Sequence, residues 1–80
     1  MQQIPVVIYY GQDRCRLLVS SETTLHYLKL VAIHRLRAYL KGHKRFQLYI
    51  NGIPMDDYRI LGDLYRIYKE GDGRIHFLLI

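Results

Sequence analysis

Eighty residues, half of them hydrophobic, are enough for one packed core and too few for two, so residues 1–80 are read as one folded domain and not as a disordered tail. A single cysteine, Cys15, excludes an internal disulfide framework and fits a reducing compartment, and the longest apolar runs are strand-sized, too short to cross a bilayer as a helix. Twelve Lys and Arg against seven Asp and Glu leave a formal charge of +5, which suits an acidic partner. The opening MQQIPVVIYY lacks a charged n-region and a small-residue cleavage site, so no signal peptide is expected and the protein is read as intracellular.

Residues 4–10, Ile-Pro-Val-Val-Ile-Tyr-Tyr, are β-branched and aromatic types that suit a pleated strand. Gly11-Gln12-Asp13 signals a turn, and the alternation resumes over residues 14–19, so the pair is expected to form a hairpin. Thr24 is the expected N-cap of a helix running from Leu25 to about Lys41 and closed by Gly42. Leu25, Leu28, Ala32, Leu36 and Tyr39 share one stripe of that helix, expected to pack on the sheet, with Tyr27, Leu30 and Val31 on or near the far side. Phe46 to Ile50 reads as a third strand, Asn51-Gly52 as a turn, and Ile53-Pro54-Met55 as a very short strand. Ile60 to Tyr68 is expected to supply about one helical turn, residues 69–73 a loop, and Ile75 to Ile80 the last strand. Strands on both sides of one long helix predict an α+β fold, a mixed sheet with that helix across one face.

Two blocks bring a family into view. The opening MQQIPVVIYYGQDRCRLLVSSETTL resembles that of ubiquitin, with a hairpin turning at a glycine and a threonine-capped helix at matching distance. IPMDDYRILGDLYRI resembles the ubiquitin segment in which acidic residues, an arginine, a leucine and an aspartate lead into a helical turn. The resemblance implies a ubiquitin-like β-grasp over nearly the whole chain. More narrowly, CRLLVSSETTLHYLKLVAIHRL and DDYRILGDLYRIY resemble the RAWUL domain, the ubiquitin-like C-terminal domain of Polycomb-group RING-finger proteins. Asp57, Tyr58, Leu61, Asp63, Ile67 and Tyr68 carry the second match; in the first, Tyr27-Leu28-Lys29 lacks the family's histidine. That resemblance implies nuclear, chromatin-associated repressor partners that add β-strands to the sheet edge. No RING finger is present in these residues, and no Gly-Gly tail follows Ile80, so neither ubiquitin transfer nor covalent conjugation is expected.

No catalytic, metal or cofactor constellation is expected. Cys15 alternates with Leu17 and Val19 and reads as a small core residue without a histidine base beside it. His26 and His34 lie ~80° apart on the helix and do not share a face. Gly71-Asp72-Gly73 lacks the strand-to-helix setting of a phosphate loop, and Asp56 and Asp57 read as turn formers. Arg35, Arg37, Lys41, His43, Lys44 and Arg45 form a basic cluster, read chiefly as helix-terminal charge and solvated loop, with a phosphate or an acidic peptide as the ligand otherwise implied.

The informative feature is surplus hydrophobicity. If Ile4, Val6, Leu17, Leu48, Ile50, Ile75, Phe77 and Leu79 face the helix, the other face carries Val7, Tyr9, Leu18, Tyr49, Leu78 and Ile80. A one-sided antiparallel sheet normally turns polar residues outward. An apolar, tyrosine-rich outer face therefore predicts a protein-interaction module. The expected partner-binding residues are Val7, Tyr9, Arg14, Arg16, Leu18, Tyr49 and Leu78, with the partner adding a strand along residues 14–19. The rivals are a ubiquitin-like domain docked by ubiquitin receptors through its sheet face, and a nucleic-acid-binding domain using the basic cluster. Without its partner, the exposed edge could drive self-association.

Overall fold

A computed structural model describes residues 2–42 and 44–80. The hairpin forms as expected, with each strand slightly longer: β1 spans Gln3–Tyr10 and β2 spans Asp13–Ser20, paired from Gln3↔Ser20 to Tyr10↔Asp13. Two residues make the turn, and Gly11 holds φ +59° at its first position, where a Cβ would be unfavourable. Ile4, Val6 and Ile8 point to the helix side and are buried.

Helix α1 spans Leu25–Arg35, and Thr24 caps it, its hydroxyl accepting the Tyr27 N–H at 3.3 Å. The helix stops six residues short of the expected Lys41. Leu36 leaves the helical region, Arg37 takes the left-handed conformation at φ +55°, and a 3₁₀ turn follows over Ala38–Lys41. Gly42 closes that turn with φ +89° and an N–H bond to the Tyr39 carbonyl. The break changes which side chain reaches the core: Ala38 is buried and Tyr39 is 50% exposed. Leu25, Leu28 and Ala32 pack as expected and Leu36 is partly buried, but Tyr39 leaves the stripe. Helix propensity favours continuation through Lys41; burial of Ala38 goes with a different chain path, and tertiary packing overrides the propensity.

β3 is shorter than expected, Leu48–Ile50, although Gln47 and Ile80 still exchange both main-chain bonds beyond it. Asn51 and Gly52 both have positive φ, which suits a two-residue turn between the paired Ile50 and Ile53. β4 is Ile53–Pro54, as short as expected, and β5 is Ile75–Leu79. The sheet order is β2-β1-β5-β3-β4, with β1 and β5 parallel and the other pairs antiparallel. This is the ubiquitin-like β-grasp arrangement.

The segment expected to give about one turn forms α2, Leu61–Tyr68, two full turns. It lacks a side-chain cap, but its first N–H groups have partners: Leu61 donates to the Thr23 carbonyl and Gly62 to that of Ser21. The favour is returned to α1, where Leu25 donates to the Arg59 carbonyl and His26 to that of Asp57. Thr24 and Ile60 form an antiparallel bridge between the two starts. Each helix thus satisfies the other's unpaired N-terminal amides. Leu61 and Leu64 then join β-sheet residues Phe77, Ile75 and Leu79 in one buried cluster.

The crossing leaves no room at Gly62, where a Cβ would lie 2.9 Å from the Ser21 carbonyl oxygen and 3.1 Å from its Cβ. Alanine gains about 1 kcal/mol of helix propensity there, against roughly 1–3 kcal/mol for forcing backbone apart. Gly62→Ala is therefore expected to lower stability by about 1 kcal/mol and the melting temperature by several degrees. Gly71→Ala, which meets nothing within 4 Å, should leave the melt within about 0.5 kcal/mol of the parent.

Candidate interaction surface

Register fixes the sheet face turned away from α1. Pro5 lies opposite Leu18, Val7 opposite Arg16 and Tyr9 opposite Arg14 across the hairpin; on the other side Val7 neighbours His76, and Tyr9 neighbours Leu78. Tyr49 continues the row beside Leu78. Leu18 is 66% exposed, Leu78 and Ile80 are exposed, and Tyr9 and Tyr49 are half-buried. The face is therefore apolar and aromatic at its centre, with Arg14 and Arg16 exposed at its β2 margin.

Val7 departs from expectation. It is only 4% exposed, although it stands on this outer face. It sits on a central strand between two longer residues of the same face, Arg16 and His76, and a valine is too short to reach past them. Val7 is thus part of the floor and offers no side-chain surface to a partner.

His76 is the feature of this face that the sequence reading missed. Its Nδ1 lies 3.1 Å from the Tyr9 hydroxyl, its Nε2 lies 2.9 Å from Asp72 Oδ2, and its ring stacks on Tyr9 at 5.9 Å between centroids. Period-two alternation with Leu78 already placed His76 outward. What alternation cannot reveal is the loop that brings Asp72 back to it. The Arg74 N–H donates to Asp72 Oδ1 at 2.9 Å, and with His76 it holds the Asp72 carboxyl below the usual carboxylate range.

The edge of the sheet follows from the same register. Ser21 N–H donates to the Gln2 carbonyl, so pairs on this alternation, including Val19 with Ile4 and Leu17 with Val6, are the hydrogen-bonded ones. The main-chain groups of Arg14, Arg16 and Leu18 consequently point away from β1. Among the described residues, no strand pairs with β2 on its other side. Leu18 places an exposed apolar side chain on that edge.

The remaining candidates resolve individually. Cys15 is half-buried against the core, and burial pushes its thiol up, with Arg35 opposing. Among the described residues, no three His, Cys, Asp or Glu side chains gather into a cation site, and no helix is long and apolar enough to cross a membrane. Asp56 does serve the turn, accepting the Arg59 N–H through its carbonyl. Asp57 does more than turn the chain: Lys29 Nζ donates to both its carboxylate oxygens, at 2.8 and 2.9 Å, and His26 Nδ1 lies 3.6 Å away. The basic cluster is divided. Arg35 ends α1, Arg37 precedes the 3₁₀ turn and Lys41 ends it, and Lys44 and Arg45 line a cleft with Lys29 and Ile33 of α1; His43 lies outside the described residues.

Two measurements follow. Amide exchange along β2 should alternate, with Arg14, Arg16 and Leu18 exchanging at least about tenfold faster than Cys15, Leu17 and Val19. Hydrogen bonding to Lys29 is the main cause that holds the Asp57 carboxyl below the usual carboxylate range. A lowered folded-state pKa gives stability that is present above the unfolded value near ~3.9 and lost as pH falls through the folded value. Asp57→Asn should therefore lower the urea midpoint at about pH 7, and the gap from the parent should narrow at about pH 2.5.

No protein-family model and no curated relative matches this sequence. Solved structures do resemble its fold. Trypanosoma brucei ATG8 is 24% identical with a TM-score of 0.77, over 98% of this chain and 72% of that one. Plasmodium falciparum Atg8, solved in complex with a Plasmodium falciparum Atg3 peptide, is 20% identical with a TM-score of 0.74, over 99% of this chain and 76% of that one. A ubiquitin-like domain of an Arabidopsis thaliana protein is 23% identical with a TM-score of 0.63, over 100% of this chain and 78% of that one. At these identities the likeness is one of fold, and that fold is the ubiquitin-like β-grasp.

Proposed function

We propose that this chain is a non-catalytic protein-interaction module that takes an extended segment of a partner as an added strand along β2. The observation that carries the reading is the open edge at Arg14, Arg16 and Leu18, whose main-chain groups point outward beside an exposed leucine. An added strand would satisfy those groups, and Leu18 and Tyr9 would take its alternate side chains. Arg14 and Arg16 give the margin a positive charge that steers an acidic segment and keeps the open edge from pairing with another copy. One structure of the same fold, Plasmodium falciparum Atg8, is solved with a peptide bound, which supports peptide recognition on this scaffold.

The finer assignment within this reading is a RAWUL-like domain that assembles nuclear repressor complexes. Of the six residues carrying that resemblance, Leu61 is buried, Tyr68 packs against the core and Asp57 is ion-paired. Asp63 lies in the first turn of α2, where a carboxylate suits the helix dipole. Tyr58 is exposed, with only its hydroxyl engaged by Asp56, and Ile67 is exposed, so Ile67 in particular favours an interface over convergence on a stable turn. The rival, docking at the centre of the outer face, draws on exposed Leu78 and Ile80 beside Tyr49.

Partners captured on the immobilised chain and titrated by calorimetry separate the two. Arg16→Pro removes an outward donor, and Leu18→Glu sets an unpaired charge in an apolar contact; each should weaken binding by roughly tenfold. Tyr49→Glu should leave it within about twofold, with all three variants shown to be folded by circular dichroism. If Tyr49→Glu abolishes binding while the two β2 variants retain it, docking is through the face and strand addition is excluded.

A further inference from the structure

The division of the basic cluster leaves two cations at a concave site that the proposed edge does not use. A cleft of about 470 Å³ opens between α1 and the segment that leads into β3. Its apolar part is Ile33 and Phe46, both half-buried and packed against the core. Phe46 is fixed from behind by Tyr10, edge-on at 6.0 Å, and the Lys44 ammonium lies 6.0 Å from its ring centroid. Lys44 and Arg45 are exposed on the rim and join no ion pair among the described residues.

The carboxylates of the cleft are already engaged. Asp57 receives both bonds from Lys29, whose side chain is only 15% exposed, and Asp56 accepts the Tyr58 hydroxyl at 3.1 Å. The cleft therefore offers two uncommitted cations beside an aromatic and an aliphatic surface. That combination fits a group with one negative charge and an apolar neighbour. It fits a dianion poorly, because Asp56 and Asp57 line the same space and their repulsion grows with ligand charge. It fits a continuous polyanion no better, for the same reason.

From this we infer that the cleft between α1 and the lead-in to β3 is a second recognition site, for an acidic polypeptide stretch in which a carboxylate side chain neighbours an aliphatic or aromatic one. Lys44 and Arg45 take the carboxylate, and Phe46 and Ile33 take the apolar side chain. Lys29 is held by Asp57 as a positioned wall of the cleft. None of the residues lining the cleft belongs to β2, so the site is separate from the strand-addition edge, and one partner could engage both.

The probe is the capped peptide acetyl-Ser-Leu-Asp-Phe-Ser-Leu-amide, which carries one carboxylate between two apolar side chains, titrated to millimolar concentration into the isotope-labelled chain and followed by amide NMR. The expected result is shifts centred on Ile33 and residues 44–47, weakened several-fold when salt rises from about 0.05 to about 0.3 M because the pairs are exposed. The double variant Lys44→Gln, Arg45→Gln, at two exposed positions that the core does not need, should lower the affinity at least tenfold. Leu18→Glu should leave the cleft shifts unchanged, so failure here is distinguishable from failure of the β2 reading. Inorganic phosphate at equal concentration should leave the same amides in place, and so should a peptide with lysine at the acidic position. The inference is overturned if the cleft amides do not move, if phosphate or the lysine peptide moves them equally, or if the double variant binds like the parent.

Discussion

The first and last strands meet in the middle of the sheet, where Val6 runs beside Ile75 and Ile8 beside Phe77 in parallel register. A parallel pair cannot close through a tight turn; the chain between must cross over, and here it carries both helices and the β3–β4 hairpin. Buried residues from both strands form the floor on which α1 and α2 pack. The same pairing settles the function-bearing geometry. With β5 on one side of β1, β2 can pair only on the other, and it is left with an open edge.

The second constraint is the mutual capping of the helices. Carbonyls at Ser21 and Thr23 take the first amides of α2, while those at Asp57 and Arg59 take the first amides of α1. This exchange explains why a stretch as short as Leu61–Tyr68 holds a two-turn helix without a side-chain cap, and why a glycine stands at position 62. Lys29 reinforces the junction from the third residue position beyond His26 by clasping Asp57. Two helices, two loops and one ion pair therefore form a single unit on the core.

Much of this was legible in the residues. Period-two alternation gave the hairpin, the helix-facing set Ile4, Val6, Ile75, Phe77 and Leu79, and the outward Leu18 and Leu78, because strand parity is a local property. Thr24 and the Asn51-Gly52 turn were readable for the same reason: their side chains or backbone freedom act within a few residues. What escaped was set by distant contacts. Arg37 in a left-handed conformation, the burial of Ala38 and the release of Tyr39 contradict a helical pattern that propensity supports. Val7 is covered by residues far from it in sequence, and the Tyr9–His76–Asp72 chain needs parallel pairing plus a loop return. The cleft at Phe46 is likewise a product of assembly, since Lys29, Lys44 and Asp57 become neighbours only after α1 is seated.

The fold and the outer face were thus available to a close reading, whereas the side-chain networks that decorate them were not. What joins the two levels is the idea that an open β2 edge is a docking edge. A structure of the chain bound to a captured partner tests this outright. The expected result is partner backbone hydrogen-bonded to the outward main-chain groups of Arg14, Arg16 and Leu18, extending the sheet to six strands from the five seen here. A complex in which β2 keeps its free edge and the partner sits wholly elsewhere would contradict it.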